Sequence, residues 1–212
     1  AALKEQISAA ERLRDIAAQM GNFVLGLQAG NLSNLGYAGR LVPAKGVDLL
    51  LHAVAGSGRS WRMALVGEGV EEDALRGLAA DLGLTGRLHL RPWLPSTDMP
   101  GFYRDIDVLV LPSRTTASWK EQFGRVLIEA MACGTVCVGA DSGEIGEVIG
   151  EAGIVFPEGD AAALAEALCR LEDPVLRASL AEAGRRRVLE RFTMERVADE
   201  TLRIYRELAG LE

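Results

Sequence analysis

Two glutamates eight positions apart, Glu121 and Glu129, are the residues whose spacing most directly suggests chemistry. On one continuous helix they would lie about 12 Å apart along the axis and about 80° apart around it, so they could not share one small group. If Glu121 instead lies in a loop and a helix opens at Gly124, the two carboxylates can hold different ends of one elongated ligand. The alternative is that Glu129 pairs with Arg125 and that Glu121 is a solvated loop residue. Spacing alone leaves both interpretations open.

The residues that follow Glu121 predict a loop, a short helix and a strand. The helix is expected over residues 124–133, and Gly134 ends it before the apolar residues 136–138. Backbone N–H groups at a helix N-terminus, together with the positive end of the helix dipole, bind phosphate without a dedicated side chain. The start of this helix is therefore a predicted phosphate position.

A second group with phosphate chemistry is the pair Arg40 and Lys45, which share one predicted loop. The planar guanidinium fork and the compact ammonium charge both suit phosphate oxygens. The competing interpretation is a solvated basic loop, and these two residues alone do not decide between them.

Alternating apolar runs and amphipathic segments predict the elements that position these residues. Short strands that alternate with helices are typical of βαβ units, so we expect an α/β, Rossmann-like parallel sheet covered by helices on both faces, followed by a helical C-terminal tail. Strands are predicted over residues 35–38, 62–66, 87–90, 108–111, 136–139 and 154–156, and helices over 47–55, 71–82, 100–103, 124–133, 144–149, 160–171, 173–190 and 193–209.

Ligands of open parallel sheets bind beyond the carboxyl ends of the strands. This rule places the candidate residues along one edge of the sheet. The predicted loops at that edge contain Arg40 and Lys45, then Gly67, then Trp93 and Leu94, then residues 113–122, and finally residues 141–144.

We divide the chain into residues 1–34 and a Rossmann-like domain over residues 35–212. Apolar residues at helical spacing predict an amphipathic helix from Leu3 to Met20, and residues 23–27 are a candidate strand. Whether residues 1–34 are part of an interdomain connection, an extension or a simple packing helix stays open.

Composition excludes several functions. A net charge of −7 and a pI near 5.0 argue against a nucleic-acid partner or an anionic membrane surface.

The two histidines, His52 and His89, fall in different predicted elements, so no metal site is expected. The three cysteines lie in apolar contexts and are interpreted as reduced core thiols. With no apolar run near 18 residues and no leader pattern, we expect a soluble, cytoplasmic chain.

Five segments, taken in order, resemble the nucleotide-binding half of the retaining GT-B glycosyltransferases known as family four or group 1. The resemblance covers approximately residues 35 to 208. The segments are GRLVPAKG at 39–46, LVGEG at 65–69, DVLVLPS at 107–113, EQFGRVLIEAMACG at 121–134 and SGEIGEVI at 142–149.

The resemblance implies sugar transfer from a UDP-, GDP- or ADP-sugar with retention of configuration and without a metal. Arg40 and Lys45 would stabilise the leaving diphosphate, Glu121 would contact the hydroxyls of the transferred sugar, and Glu129 would hold the ribose. The remaining candidate contacts are Gly39 in the first loop, Trp93 and Leu94 near the nucleobase, Gln122 near the donor, and the backbone amides of Phe123, Gly124 and Arg125 at phosphate or sugar.

The resemblance also implies a missing partner. In the family the acceptor binds largely to an N-terminal domain, which we expect to be absent from this chain, so the chain alone is expected to transfer little sugar. One departure from the family pattern is Gly146, where a proline is common.

Two alternative functions stay open: a related GT-B epimerase or synthase, and a non-catalytic binding or assembly module. A nicotinamide dehydrogenase is disfavoured because the segment after Gly67 lacks the third glycine of the dinucleotide fingerprint.

Overall fold

The computed structural model describes residues 32–209, and six parallel strands form its centre. Neighbouring strands are hydrogen-bonded in the order β3-β2-β1-β4-β5-β6, where the strands are β1 (Asn34–Ala38), β2 (Arg62–Val66), β3 (Leu88–Arg91), β4 (Val108–Leu111), β5 (Val136–Ala140) and β6 (Gly153–Phe156).

Helices surround this sheet. Those of the described residues are α1 (Val47–Gly56), α2 (Glu72–Asp81), α3 (Met99–Asp105), α4 (Arg125–Ala132), α5 (Ile145–Ile149), α6 (Ala161–Arg170), α7 (Pro174–Arg191) and α8 (Met194–Ala209). Helix α1 packs against α2 and α6, whereas α4 packs against α3, α5 and α7. These two groups cover the two faces of the sheet. The predicted α/β, Rossmann-like class with a helical C-terminal tail is confirmed.

Burial of the strands explains their sequences. Every residue of β4 and β5 is buried, as expected for central parallel strands that are covered on both faces and therefore read as continuous apolar runs. Strand β3 lies at the end of the sheet and alternates half-buried with exposed residues. The loops after β4 and β5, described below, therefore leave from fully buried strands.

The predicted element boundaries agree with the structure to within one or two residues for most elements. Strand β3 begins one residue later than predicted, because Thr85–Arg87 forms a 3-10 turn that the apolar pattern did not separate from the strand. The shortest predicted helix, over residues 100–103, extends over Met99–Asp105. The helix predicted from Leu3 to Met20 and the candidate strand at 23–27 lie outside the described residues.

Cys133, Cys137 and Cys169 are free cysteines in the structure. Cys137 lies in β5 and is fully buried, whereas Cys133 and Cys169 are only half-buried. Burial raises the pKa of Cys133 to about 11 and raises that of Cys137 further, so both stay protonated thiols near neutral pH.

Within residues 32–209, no helix has both the length and the apolar character that crossing a membrane requires. Helix α8 has no buried residue, and its apolar side chains, among them Leu202, Tyr205 and Leu208, are exposed.

Candidate functional site

The sheet has one position where the order of the chain reverses, between β1 and β4. From β1 the chain proceeds outward to β2 and β3, and from β4 it proceeds in the other direction to β5 and β6. Loops that leave the carboxyl ends of two such strands diverge and open a crevice, which is where ligands bind in sheets of this type. The loops after β1 and β4 carry Lys45 and Glu121 respectively.

These two residues meet across the crevice. The Lys45 ammonium lies 2.5 Å from Oε2 of Glu121, and the Ser113 hydroxyl donates to the same oxygen at 3.2 Å. Only 13% of the Lys45 side chain and 12% of the Glu121 side chain are exposed. The interpretation of Glu121 as a solvated loop residue is therefore wrong, and Lys45 is not a solvated surface lysine.

A residue that the sequence analysis missed, Trp119, also contacts Lys45. Its ring centroid lies 4.6 Å from the Lys45 ammonium, at the distance of a cation–π contact. The ring is placed by a small turn in which Thr116 and Trp119 form an isolated antiparallel bridge. The sequence does show an aromatic residue two positions before Glu121, but it does not show which cation that residue contacts.

Backbone packing locks the Lys45 loop against the end of β4. Gly46 has φ of 64°, and a Cβ at this position would lie 2.1 Å from the Pro112 carbonyl oxygen, so the close approach requires glycine. Beside it, Arg114 donates two hydrogen bonds to Asp48, at 2.7 and 2.8 Å, and its backbone N–H donates to the Ala44 carbonyl at 2.8 Å. A bidentate pair fixes orientation as well as distance. The ammonium of Lys45 is therefore positioned by its loop and not only by Glu121.

The loop after β5 supports the backbone of Glu121. The Glu144 N–H donates to the Glu121 carbonyl at 3.0 Å, and Gly143 has φ of 59° directly against that carbonyl. A Cβ on Gly143 would lie 1.9 Å from the Glu121 oxygen. The position of the Glu121 carboxylate thus depends on three loops.

We expect Gly143→Ala to lower stability by about 3 kcal/mol, because a side chain must adopt a strained positive φ and also displace the Glu121 backbone. The measurement is the urea midpoint of unfolding. Gly83→Ala is the matched control, since Gly83 has φ of 68° but its Cβ would meet nothing within 4 Å. This control should lose only about 1 kcal/mol. Equal losses in the two variants would show that Gly143 does not brace Glu121.

Glu129 lies one turn inside helix α4, which begins at Arg125 after Gly124. One carboxylate oxygen accepts the Tyr103 hydroxyl at 2.8 Å, and the other lies 3.3 Å from Nε of Arg125. The predicted loop position of Glu121 and helical position of Glu129 are both correct. The pairing of Glu129 with Arg125 is also present, but Arg125 is exposed over 71% of its side chain, so this ion pair is weak.

Helix α4 begins at the end of the loop that follows β4, four residues after Glu121. Gly124 is its N-cap residue in the left-handed conformation, with φ of 70°, and no side chain caps it. Gln122 and Phe123 before it are exposed, and the Phe123 ring packs edge-on against Phe192 with centroids 5.7 Å apart. A helix N-terminus without a side-chain cap leaves its first N–H groups to other acceptors, and the predicted phosphate position stays a prediction.

The first loop carries Gly39 and Arg40. Gly67 packs directly on the Gly39 carbonyl, and the Tyr37 hydroxyl donates to the Arg40 carbonyl at 2.7 Å. Burial raises the pKa of Tyr37, the Glu121 charge adds to this effect and the Arg40 charge opposes it. Arg40 is exposed, and its charge acts on the same buried hydroxyl as that of Glu121.

Trp93 and Leu94 follow β3, which is separated from β1 by β2. Trp93 is 49% exposed, whereas Leu94 is half-buried and packs against the hydrophobic core. Their loop leaves a strand two positions away from β1 in the sheet, and their nucleobase role stays a prediction. In the described part of the chain, no cluster of His, Cys, Asp and Glu has the arrangement of a metal site.

A doubly wound parallel sheet with charged residues at its reversal point defines a Rossmann-like domain. Comparison with known families is more specific. Residues 29–187 match the family described as glycosyl transferases group 1, and the chain belongs to this family.

Relatives with established names agree with this membership. The chain is 34% identical over 185 residues to a D-inositol 3-phosphate glycosyltransferase of Acidothermus cellulolyticus, an alignment covering 81% of this chain and 40% of the relative. It is also 34% identical over 212 residues to the protein of the same name from Saccharomonospora viridis, covering 93% of this chain and 48% of the relative. The chain thus spans less than half the length of these relatives.

Solved structures show the same fold. Sucrose-phosphate synthase from Thermosynechococcus elongatus superposes with a TM-score of 0.75 at 30% identity, covering 93% of this chain and 49% of that one. Anabaena HepE, crystallised with UDP, superposes with a TM-score of 0.73 at 26% identity, covering 93% of this chain and 53% of that one.

Proposed function

We propose that this domain binds the nucleoside diphosphate sugar donor of a retaining glycosyltransferase. The observation that carries the proposal is the largely buried pair of Lys45 and Glu121 at the reversal point of the sheet, with Glu121 in the loop that leads to the N-terminus of α4, which no side chain caps. A cation for the diphosphate, an acceptor-only carboxylate for sugar hydroxyls and free amide donors are the groups that such a donor requires. The HepE structure with UDP makes a uridine nucleotide the first ligand to test.

The predicted residues other than Gly39 each have a role in this proposal, and Gly39 lies beside Arg40 in the first loop. Lys45 and Arg40 bind the diphosphate, Glu121 accepts from the hydroxyls of the transferred sugar, and Glu129 accepts from the ribose. The backbone amides of residues 123–125 bind phosphate or sugar oxygens, Gln122 faces the donor, and Trp93 and Leu94 flank the base.

The chemistry follows from where charge develops. When the bond between the anomeric carbon and the diphosphate oxygen breaks, the electron pair stays on that oxygen and the sugar gains oxocarbenium character. Cations beside the oxygen stabilise this charge most in the transition state, which lowers the barrier without a metal ion. The acceptor oxygen then bonds to the anomeric carbon on the same face, and its proton passes to the departing phosphate. Configuration is retained.

The acceptor is expected to bind largely to a second domain on the opposite side of the crevice. The names of the relatives make D-inositol 3-phosphate the first acceptor to test with a complete enzyme.

The donor proposal is tested by calorimetric titration of the purified chain with UDP, GDP and ADP, with and without magnesium. We expect saturable binding of UDP, with an affinity that magnesium does not change. GDP and ADP serve as matched ligands that differ only in the base. No saturable binding of any of the three would contradict the proposal, and binding only in the presence of magnesium would contradict its metal-independent form.

A further inference from the structure

We propose that Tyr103 is a positioning residue for nucleotide binding, whose hydroxyl holds one carboxylate oxygen of Glu129 so that the other is presented to the ribose. This inference rests on the proposed function, because it takes the assignment of Glu129 to the ribose from it. The observation that carries it is the hydrogen bond of 2.8 Å between the Tyr103 hydroxyl and Oε2 of Glu129.

Tyr103 is fixed at both ends of the residue. It lies in α3 and is fully buried. Its carbonyl accepts the Thr135 hydroxyl at 2.6 Å, in a buried contact that ties α3 to the start of β5. A ring held in this way loses little further freedom when its hydroxyl binds Glu129, so the hydroxyl is a preorganised donor.

The two oxygens of Glu129 have different environments. Oε2 accepts from the buried Tyr103, whereas Oε1 faces Arg125, which is largely exposed. An exposed ion pair contributes little free energy and exchanges readily with solvent or ligand. Each carboxylate oxygen has two lone pairs, so Oε1 can accept a ribose hydroxyl with or without Arg125 in place. The Glu129 carboxylate is thus anchored at Oε2 and accessible at Oε1.

The direction of the Tyr103–Glu129 bond is constant across physiological pH. Burial raises the pKa of Tyr103, and the neighbouring Glu129 charge raises it further. The hydroxyl therefore remains protonated and can only donate to the carboxylate. Tyr103 should therefore contribute no pH dependence to the nucleotide affinity between pH 6 and pH 9.

The test is calorimetric titration of the chain and its Tyr103→Phe variant with UDP and with 2′,3′-dideoxy-UDP. We expect the variant to bind UDP about five- to tenfold more weakly, the scale of one ordinary hydrogen bond, because the Glu129 carboxylate loses its positioning but stays in place. The dideoxy ligand lacks the ribose hydroxyls that Glu129 would hold, so its affinity should not change. A merely structural role of Tyr103 would weaken both ligands equally.

A double-mutant cycle locates the effect on Glu129. In the Glu129→Ala background, Tyr103→Phe should cause no further loss of UDP affinity, because the group it positions is gone. Thermal unfolding of each variant confirms that the titrated protein is folded.

Four outcomes separate the inference from the proposed function. Loss of UDP affinity in Glu129→Ala without any loss in Tyr103→Phe overturns the inference and leaves the proposed function standing. Equal weakening of both ligands by Tyr103→Phe also overturns only the inference. Equal affinity of the unmodified chain for UDP and the dideoxy ligand overturns the ribose assignment of Glu129. The absence of UDP binding overturns the proposed function and the inference with it.

Discussion

Replacing Lys45 with methionine is expected to reduce the rate of sugar transfer by about a hundredfold or more in a complete enzyme that carries this domain. Removal of one preorganised charge contact to a developing negative charge has an effect of this size. The Lys45 ammonium is held by Glu121, by the Trp119 ring and by a loop locked against β4. It therefore needs little reorganisation when the diphosphate departs.

The loss should appear in kcat more than in KM. A contact that strengthens as the diphosphate gains charge stabilises the transition state more than the bound donor. Arg40→Ala is expected to have an effect of the same order, because Arg40 is assigned to the same diphosphate. Steady-state transfer rates at saturating donor, with the acceptor held constant, measure both variants.

Lys120→Met is the matched control for Lys45→Met. Lys120 precedes Glu121 in the same crevice loop, but its side chain is exposed. A general effect of lost positive charge would lower the rate in both variants, whereas a diphosphate contact would lower it only in Lys45→Met. Unchanged kcat in both Lys45→Met and Arg40→Ala would refute the diphosphate assignment.

The fold could be predicted from sequence because its signals are local. The continuous apolar runs of β4 and β5 mark buried parallel strands, and Asp173 followed by Pro174 marks the start of α7. The Asp173 carboxylate indeed accepts from the N–H groups of Val175 and Leu176. Signals of this kind depend only on residues that are close in sequence, so they can be identified without knowledge of the tertiary structure.

The parts of the site that sequence analysis missed are contacts between distant segments. Trp119, Tyr103 and the Arg114–Asp48 pair each act on a candidate residue that comes from another element. No spacing rule connects each of these residues with its candidate residue, because the number of residues between the two depends on the path of the chain around the sheet. The rule that ligands bind beyond the strand ends selected the loops after β1, β4 and β5, which contact one another around Glu121, but not the partners within them.

Pairing with Arg125 and binding of a ligand are compatible roles for Glu129. The sequence suggests the pair, one helical turn apart, as an alternative to ligand binding, and this pair is present. Tyr103 is buried, whereas Arg125 is exposed. The ion pair with Arg125 therefore contacts Oε1 of Glu129 but does not hold it in place. An i,i+4 pair identified in a sequence therefore does not exclude a ligand role for the same carboxylate.

Replacing Glu129 with alanine is expected to weaken UDP binding ten- to a hundredfold, because hydrogen bonds to a charged group contribute about 1.5–3 kcal/mol. The same change should lower stability by about 1–3 kcal/mol, since the buried Tyr103 hydroxyl loses its acceptor. Calorimetric titration measures the first effect, and urea unfolding measures the second.

Two further variants separate the role of Glu129 in binding from its role in folding. Glu129→Gln keeps an acceptor for Tyr103 but loses the charge, so it should recover most of the stability and only part of the UDP affinity. Glu72→Ala breaks a comparable helical ion pair, with Arg76 at 2.8 Å on α2, and should change neither quantity by more than a few tenths of a kcal/mol. If Glu129→Ala loses stability but binds UDP as the unmodified chain does, the carboxylate serves the fold alone. The ribose must then be held by another residue of the crevice.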